Sequence, residues 1–221
     1  MFIPRSRPGF TDPRFLHPFG GVAKRVADIA LATPALIFAA PLMAAVACAV
    51  KLQDGGSVFF LQPRVGLGGG SFPLIKFRTM ASDAPERLAQ LLRDDPVAAR
   101  EWKEKQKLIN DPRITPVGRF LRRSSLDEVP QLLNVILGHM SLVGPRPMLL
   151  DQAGEYGPAF DAYCNARPGL TGLWQVSGRN NTSFRRRSEL DERYLRGWSL
   201  TRDLSLMVRT VGVLFGQVGA C

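Results

Sequence analysis

The dominant feature in the pattern of apolar and polar positions is a run from Ile29 to Val50, 22 residues without a charge, flanked by Lys24, Arg25 and Asp28 before it and Lys51 after it. A straight helix of that length measures about 33 Å, enough to cross a hydrocarbon core of about 30 Å. Pro34 and Pro41 each remove a backbone donor, and Pro41 lies near the middle of the segment 24–51, so a helix here is expected to bend. Both flanks are basic, which leaves the charge-asymmetry rule nothing to orient. Three readings stay open: a re-entrant hairpin that bends at Ala40-Pro41 and returns to the face it entered, a straight span, and a buried soluble helix. The first satisfies both the prolines and the flanks.

After Asp54-Gly55-Gly56 the period shortens. Val58–Leu61 and Phe72–Phe77 are two β-type runs around a turn rich in glycine (Gly66, Gly68, Gly69, Gly70), which predicts a hairpin. Residues 84–108 are highly charged with Leu88, Leu91, Leu92 and Trp102 available for one apolar face, so an amphipathic helix or a helix pair broken at Pro96 is expected. Further helices are predicted from about Ser125 to Leu137 and from about Leu200 to Gly216. The last sets Leu204, Leu206, Met207, Val211, Leu214 and Phe215 beside Arg202 and Arg209, as in a helix lying on a membrane or on a core. The first 21 residues hold four prolines together with Arg5, Arg7 and Arg14 and read as a basic arm without regular structure. The late start of the apolar run does not fit a secretory signal. The expected organisation is an arm (1–23), a helix-break-helix membrane segment (24–51) and a catalytic body (52–221).

Composition changes this picture in two ways. A net charge of +10 on a chain that is 45% hydrophobic excludes a disordered tail, and admits nucleic acid, an anionic membrane surface or a phosphate-bearing substrate as partner. The basic residues divide into 23 Arg and 6 Lys, which favours planar, bidentate capture of phosphate or carboxylate over diffuse charge. Cys48, Cys164 and Cys221 are odd in number and unpaired in spacing, and with only two histidines they imply neither a disulfide framework nor a zinc site. A reducing compartment with incidental thiols fits them.

Three segments carry candidate chemistry. In Leu121-Arg122-Arg123-Ser124-Ser125-Leu126-Asp127-Glu128-Val129-Pro130, Ser125 and Glu128 have capping-box spacing, so an ordinary helix start is one reading. The other is functional: a helix N-terminus keeps a carboxylate ionised while nearby arginines hold phosphate oxygens, bringing a nucleophile and its substrate together. In Gly144-Pro145-Arg146-Pro147 two prolines fix the chain around one guanidinium, which is presented with little entropy left to lose. Pro168 to Asn180 is a glycine-punctuated loop suited to backbone contact with a nucleotide or phosphate.

Together these segments resemble the monotopic phosphoglycosyl transferases, the bacterial sugar transferases that start undecaprenyl-linked glycan assembly. The match runs in unbroken order from Lys24-Arg25-Val26-Ala27-Asp28 through Phe59 to Arg64 with Gly66, Lys76-Phe77-Arg78-Thr79-Met80, Asp111-Pro112-Arg113-Ile114-Thr115 with Gly118, Ser125 to Asn134, Gly144 to Pro147 and Pro168 to Asn180, and on through Asp191, Tyr194 and Asp203 to about residue 216. The resemblance implies an α+β, mainly α fold: a re-entrant membrane helix, amphipathic interfacial helices, and a small α/β catalytic body with a β-hairpin on the cytoplasmic face of the bacterial inner membrane. It implies transfer of a hexose-1-phosphate from a UDP-sugar, UDP-glucose or UDP-galactose, to undecaprenyl phosphate with release of UMP. Asp127 is then the nucleophile of a covalent phosphosugar intermediate and Glu128 the ligand of a Mg²⁺ cofactor. Arg122, Arg146 and Arg179, with Pro145 and Pro147, match positions around the phosphates and nucleotide, and Lys76, Arg78 and Asp191 support them. The 81–113 segment with Trp102 and Asn110 to Arg113 resembles the hexose-1-phosphate branch.

Two departures from the family pattern stand out. The bend pair is Ala40-Pro41, lacking the usual serine hydroxyl, and His139 follows Gly138 where relatives have an acid, which reads as a surface substitution. The implied partners are the UDP-sugar, undecaprenyl phosphate and inner-membrane lipids, with a homodimer left open and no nucleic acid. Arg25, Arg185 to Arg187 and Arg209 are left for anionic headgroups. The competing reading is a membrane-anchored basic adaptor that binds anionic lipid or nucleic acid through Arg185-Arg186-Arg187, although no base-reading motif accompanies that run.

Overall fold

The computed structural model describes residues 19–105, 108–157, 159–177 and 183–215, so the arm before Phe19 and the candidate ligand Arg179 lie outside the described residues. Among the described residues the chain is mainly helical with two small sheets. Its first element, α1 (Gly21–Asp54), is a 34-residue helix that carries the apolar run and continues through both Pro34 and Pro41. The strands β1 (Phe59–Val65) and β2 (Ser71–Phe77) pair as the predicted hairpin. Two helices follow where one or a broken pair was expected: α2 (Ala84–Asp94) and α3 (Pro96–Lys105). Pro96 is the reason for the break, and Asp95 restarts the helix by accepting from the Val97 and Ala98 amides at 2.8 and 3.1 Å.

The remaining elements are α4 (Pro116–Ser124), α5 (Gln131–Ile136), β3 (Ser141–Val143), α6 (Ala159–Cys164), β4 (Gly169–Thr171), α7 (Phe184–Arg196) and α8 (Leu200–Phe215). Two compact units share them. One holds the chain up to Ala40, Leu61–Ile75 and the chain from Pro130 onward, and the other holds Pro41–Phe60 and Lys76–Val129. The division of α1 therefore falls between Ala40 and Pro41.

In the first unit β3 and β4 run parallel, with Ser141 opposite Gly169 and Val143 opposite Thr171. The core there is Val65, Met148, Tyr156, Tyr163 and Cys164, with Ala153, Ala159, Phe160 and Phe184 packed on it. The buried Asn134 serves as a surrogate strand for β2: its amide accepts from the Ile75 N–H at 2.9 Å and donates to the Pro73 carbonyl at 2.8 Å. The start of α1 is fixed to this unit by polar contacts. Lys24 Nζ lies 2.6 Å from Asp203 Oδ2 with both side chains buried, and Tyr194 Oη and Trp198 Nε1 donate to the same carboxylate at 2.8 and 3.1 Å. Arg25 donates to the Val135 and Ile136 carbonyls at the end of α5, and Asp28 accepts from Ser141 Oγ and the Leu142 amide. The family-matching residues Lys24, Asp28, Tyr194 and Asp203 thus form one buried network.

In the second unit the core is Val46, Val50, Phe77 and Leu121, joined by Met43, Ala47, Val58, Val117 and Leu126. Asp54 at the end of α1 is the anchor here: its two carboxylate oxygens receive both terminal nitrogens of Arg78, and one also accepts from the Ser82 amide. Between the two anchors most of the apolar run is exposed, with Phe38 at 90% and Ile37 at 69%.

Candidate active site

The carboxylates Asp127 and Glu128 sit on a three-residue 3₁₀ turn (Leu126–Glu128) between α4 and α5. The turn exists because of its neighbours. Thr115 caps α4, its Oγ1 accepting from the Gly118 amide at 2.9 Å, with Pro116 at the first helical position. Gly118 then packs directly on β2's extension: a Cβ there would lie 1.9 Å from the Thr79 carbonyl oxygen, which only glycine avoids. At the far end Ser125 ends α4 in the left-handed region with φ 57°, the one non-glycine residue with positive φ among the described residues. Such a residue costs about 1 kcal/mol or more unless its surroundings hold it.

The predicted helix from Ser125 to Leu137 is therefore corrected to a turn plus α5, and Ser125 makes no capping hydrogen bond. The cause is Pro130: it has no N–H for the Leu126 carbonyl and its ring collides with that oxygen, so the chain closes with the tighter bonds Glu128 N to Ser125 O and Val129 N to Leu126 O. Leu126 enters the core beside Leu121. Successive side chains on a 3₁₀ turn diverge by about 120°, so Asp127 and Glu128 leave on the other sides.

Cations converge on this pair. On β2, Phe77 points into the core and Lys76 therefore points the opposite way, its Nζ 2.6 Å from Glu128 Oε1. Arg122, one turn back on α4, donates from Nε to Thr79 Oγ1 at 2.9 Å. Behind it Arg113 holds Asp111 through two bonds of 2.8 and 2.6 Å and lies over the Trp102 ring at 4.8 Å. Burial pushes the Asp127 carboxyl up from 3.8 to about 6. Lys76 and Arg122 pull it down and Glu128 pushes it further up. The result is a carboxylate that is ionised at neutral pH but poorly solvated, which strengthens its nucleophilicity. Asp127 and Glu128 also offer hard oxygen donors. Among the described residues no three metal-ligating side chains gather, so a divalent cation held here would rest on one or two carboxylates of the protein. That donor chemistry fits Mg²⁺.

A second cluster lies in the other unit, around Arg146. Its loop is set by close backbone packing: Gly169 N donates to Pro145 O at 2.8 Å and Gly144 N to Thr171 O at 2.9 Å, and a Cβ on Gly169 would lie 2.1 Å from the Gly144 nitrogen. The Arg146 guanidinium rests 5.2 Å from the centre of the Trp174 ring. Its carbonyl accepts from Arg187 Nη2 at 2.7 Å, and Arg64 Nη1 donates to the Pro147 carbonyl at 3.2 Å. Arg187, assigned from its run to lipid headgroups, is instead buried among the rings of Tyr156, Trp174 and Phe184, 3.9 Å from Asp191. The reason is the four-residue spacing to Asp191, which puts the two on one face of α7. Asp191 Oδ2 accepts from Tyr156 Oη at 2.6 Å, and burial pushes its carboxyl to about 7 against the pull of Tyr156, Arg187 and Arg146.

Lys76, Arg122, Asp127 and Glu128 are thus brought together in one unit, and Arg146, Pro145, Pro147 and Asp191 in the other. Arg78 stands apart, holding Asp54 and the Ser57 carbonyl. His139 is half-buried against Phe72 rather than on the open surface. Sequence reasoning named Thr79 and Trp174 only within family-matching stretches and gave no role to Tyr156; for Arg187 it read the run of arginines and missed the one signal available, its four-residue spacing to Asp191.

The chain belongs to the bacterial sugar transferase family, whose model matches residues 19–217. It is 47% identical over 196 residues to the exopolysaccharide production protein ExoY of Rhizobium meliloti, covering 89% of this chain and 87% of that protein. It is 46% identical over 197 residues to the undecaprenyl-phosphate galactose phosphotransferase of Salmonella typhimurium, covering 89% of this chain and 41% of that one. With the UDP-glucose:undecaprenyl-phosphate glucose-1-phosphate transferase of Caulobacter vibrioides it shares 42% identity over 215 residues, 93% and 73% of the two chains. The chain thus spans about two fifths of the length of some curated relatives and most of others.

Proposed function

We propose that the protein transfers a hexose-1-phosphate from UDP-galactose or UDP-glucose to undecaprenyl phosphate, in the first membrane step of exopolysaccharide or related glycan synthesis. The observation that carries this is a half-buried, cation-flanked carboxylate, Asp127, in a chain whose relatives are named for that transfer. A carboxylate oxygen of Asp127 attacks the sugar-bearing phosphorus of the donor, a phosphorus–oxygen bond forms, and the bond to UMP breaks with its electron pair leaving on UMP. The phosphate oxygen of the polyprenol then attacks the same phosphorus and returns Asp127 to its free carboxylate. Lys76 and Arg122 hold phosphate oxygens during both displacements. Glu128 would hold a Mg²⁺ ion, which when bound would supply charge neutralisation at the diphosphate. Arg146 is a further anion ligand, presented by Pro145, Pro147 and the Arg187 bond to its carbonyl. Arg179 is carried over by resemblance alone.

The same reading makes α1 a re-entrant helix with its bend at Ala40-Pro41. Its support is connectivity: Lys24, at the start of α1, pairs with Asp203, far beyond its end. Among the described residues α1 is the one helix long and apolar enough to cross a bilayer, and in this reading both of its ends return to one face. That face is the cytoplasmic one, where nucleotide sugars are. The test is to incubate the purified protein with UDP-galactose or UDP-glucose, Mg²⁺ and undecaprenyl phosphate, with UMP release as the readout. No release with either hexose overturns the donor assignment, and salt-sensitive nucleic-acid binding indifferent to UDP-sugar supports the adaptor instead.

A further inference from the structure

Outside these clusters a groove of about 360 Å³ lies between α7 and α8. Four arginines line it. Arg186 and Arg193 are seven residues apart on α7, and Arg202 and Arg209 seven apart on α8, so each pair lies on one face of its helix two turns apart. Ser177 and Ser205 add hydroxyls, and the buried Leu190 and Leu206 form an apolar floor.

The charges in this groove are only partly answered by the protein. Arg202 donates to the Gly197 and Arg193 carbonyls at 2.7 and 3.3 Å and so fixes the end of α7. Arg186 shares Glu189 with Arg185, in exposed contacts of 3.1 and 3.5 Å. Arg193 and Arg209 make no side-chain hydrogen bond or ion pair among the described residues, and both are exposed. Four guanidinium groups against one exposed carboxylate create a strongly positive concavity, and planar forks of donors match phosphate oxygens.

The surroundings choose among phosphates. Around α8, away from the arginine side, Leu204, Val208 and Val211 are exposed at 53, 72 and 53%. A helix with an apolar side and an arginine side lies in the plane of a membrane surface, its apolar side among acyl chains and its guanidinium groups level with the headgroups. The groove therefore meets phosphate that carries an apolar tail.

We infer that the α7–α8 groove binds the phosphodiester headgroup of an anionic membrane phospholipid, with Arg193 and Arg209 as its principal ligands. This rests on the membrane residence proposed above, and adds a lipid site separate from the transfer chemistry.

The test uses the full chain purified in detergent. Native mass spectrometry counts phosphatidylglycerol and phosphatidylcholine retained by the wild type and by the Arg193→Gln, Arg209→Gln double variant, with Arg209→Lys as a conservative control. The expected result is one phosphatidylglycerol retained at least tenfold better than phosphatidylcholine, loss of that preference in the double variant, and partial retention in Arg209→Lys. UMP release by the double variant, measured without added phospholipid, stays within twofold of wild type. Equal retention of the two lipids, or an unchanged preference in the double variant, overturns the inference. Displacement of phosphatidylglycerol by millimolar inorganic phosphate assigns the groove to free phosphate, and displacement by UDP assigns it to the nucleotide; either also overturns it. A wild type that releases UMP without lipid preference refutes this site alone, whereas lipid preference without UMP release refutes the transferase reading and leaves the site standing.

Discussion

Replacing Lys76 by Gln isolates the electrostatics of the nucleophile. In the native protein burial raises the Asp127 carboxyl to about 6, and Lys76 is the largest influence holding it down. An opposite charge within a few ångströms is worth about 1 to 3 pH units of carboxylate titration, so its loss moves Asp127 to about 7 or above. At pH 7 the ionised fraction then drops from about nine tenths to about one half or less. The assay is kcat/KM for UMP release between pH 5 and 9. Since the reaction needs the carboxylate, wild-type activity rises with pH through about 6 and levels off. The variant's limb lies at least about one pH unit further alkaline, above any loss of plateau from the missing phosphate contact. A wild-type limb near pH 4, or a limb that stays in place in the variant, would refute control of the rate by a half-buried, Lys76-tuned carboxylate.

The same burial makes Asp127 costly to the fold. Its carboxyl is raised from 3.8 to about 6, so ionisation opposes folding by up to about 3 kcal/mol above pH 6, fading to nothing below pH 4. Asp127→Asn should therefore raise the melting temperature at pH 8 and not at pH 4; equal melting at both would contradict it. Gly118→Ala puts a methyl group 1.9 Å from the Thr79 carbonyl, where neither backbone yields cheaply, and is expected to destabilise by about 2 kcal/mol or more in denaturant titration. Arg187→Met leaves Asp191 buried beside Tyr156 without its cation and the Arg146 carbonyl without its donor. A loss of about 3 kcal/mol is expected, and less in the Arg187→Met, Asp191→Asn pair, read from a double-mutant cycle of thermal unfolding.

Local signals were legible in the sequence where one force decides the structure. The alternating apolar runs and glycine-rich turn defined the hairpin, and Pro96 defined the break between α2 and α3. The Ser125-to-Glu128 spacing misled, because the same residues serve a capping box or a left-handed helix end, and the choice belongs to Pro130 and to Leu126 entering a distant core. Arg187 misled in the opposite way: in a run of three arginines its charge suggested a solvated face, while the aromatic cage that buries it comes from Tyr156, Trp174 and Phe184, remote in sequence. The gathering of Lys76, Arg122, Asp127 and Glu128 was legible only as a resemblance, since nothing in the spacing of β2 to α4 fixes their approach. The Lys24–Asp203 pair, which ties the two ends of the chain together, left no local trace at all.

In the proposed reaction Asp127 carries the sugar phosphate. Incubating wild type with UDP-hexose and Mg²⁺ in the absence of polyprenol phosphate, quenching in acid and measuring intact mass tests it directly. The expected result is an added mass of one hexose phosphate, sensitive to hydroxylamine, mapped to Asp127, discharged by undecaprenyl phosphate and absent from Asp127→Asn. An adduct of equal yield on Asp127→Asn, or one mapped to another residue, would contradict it.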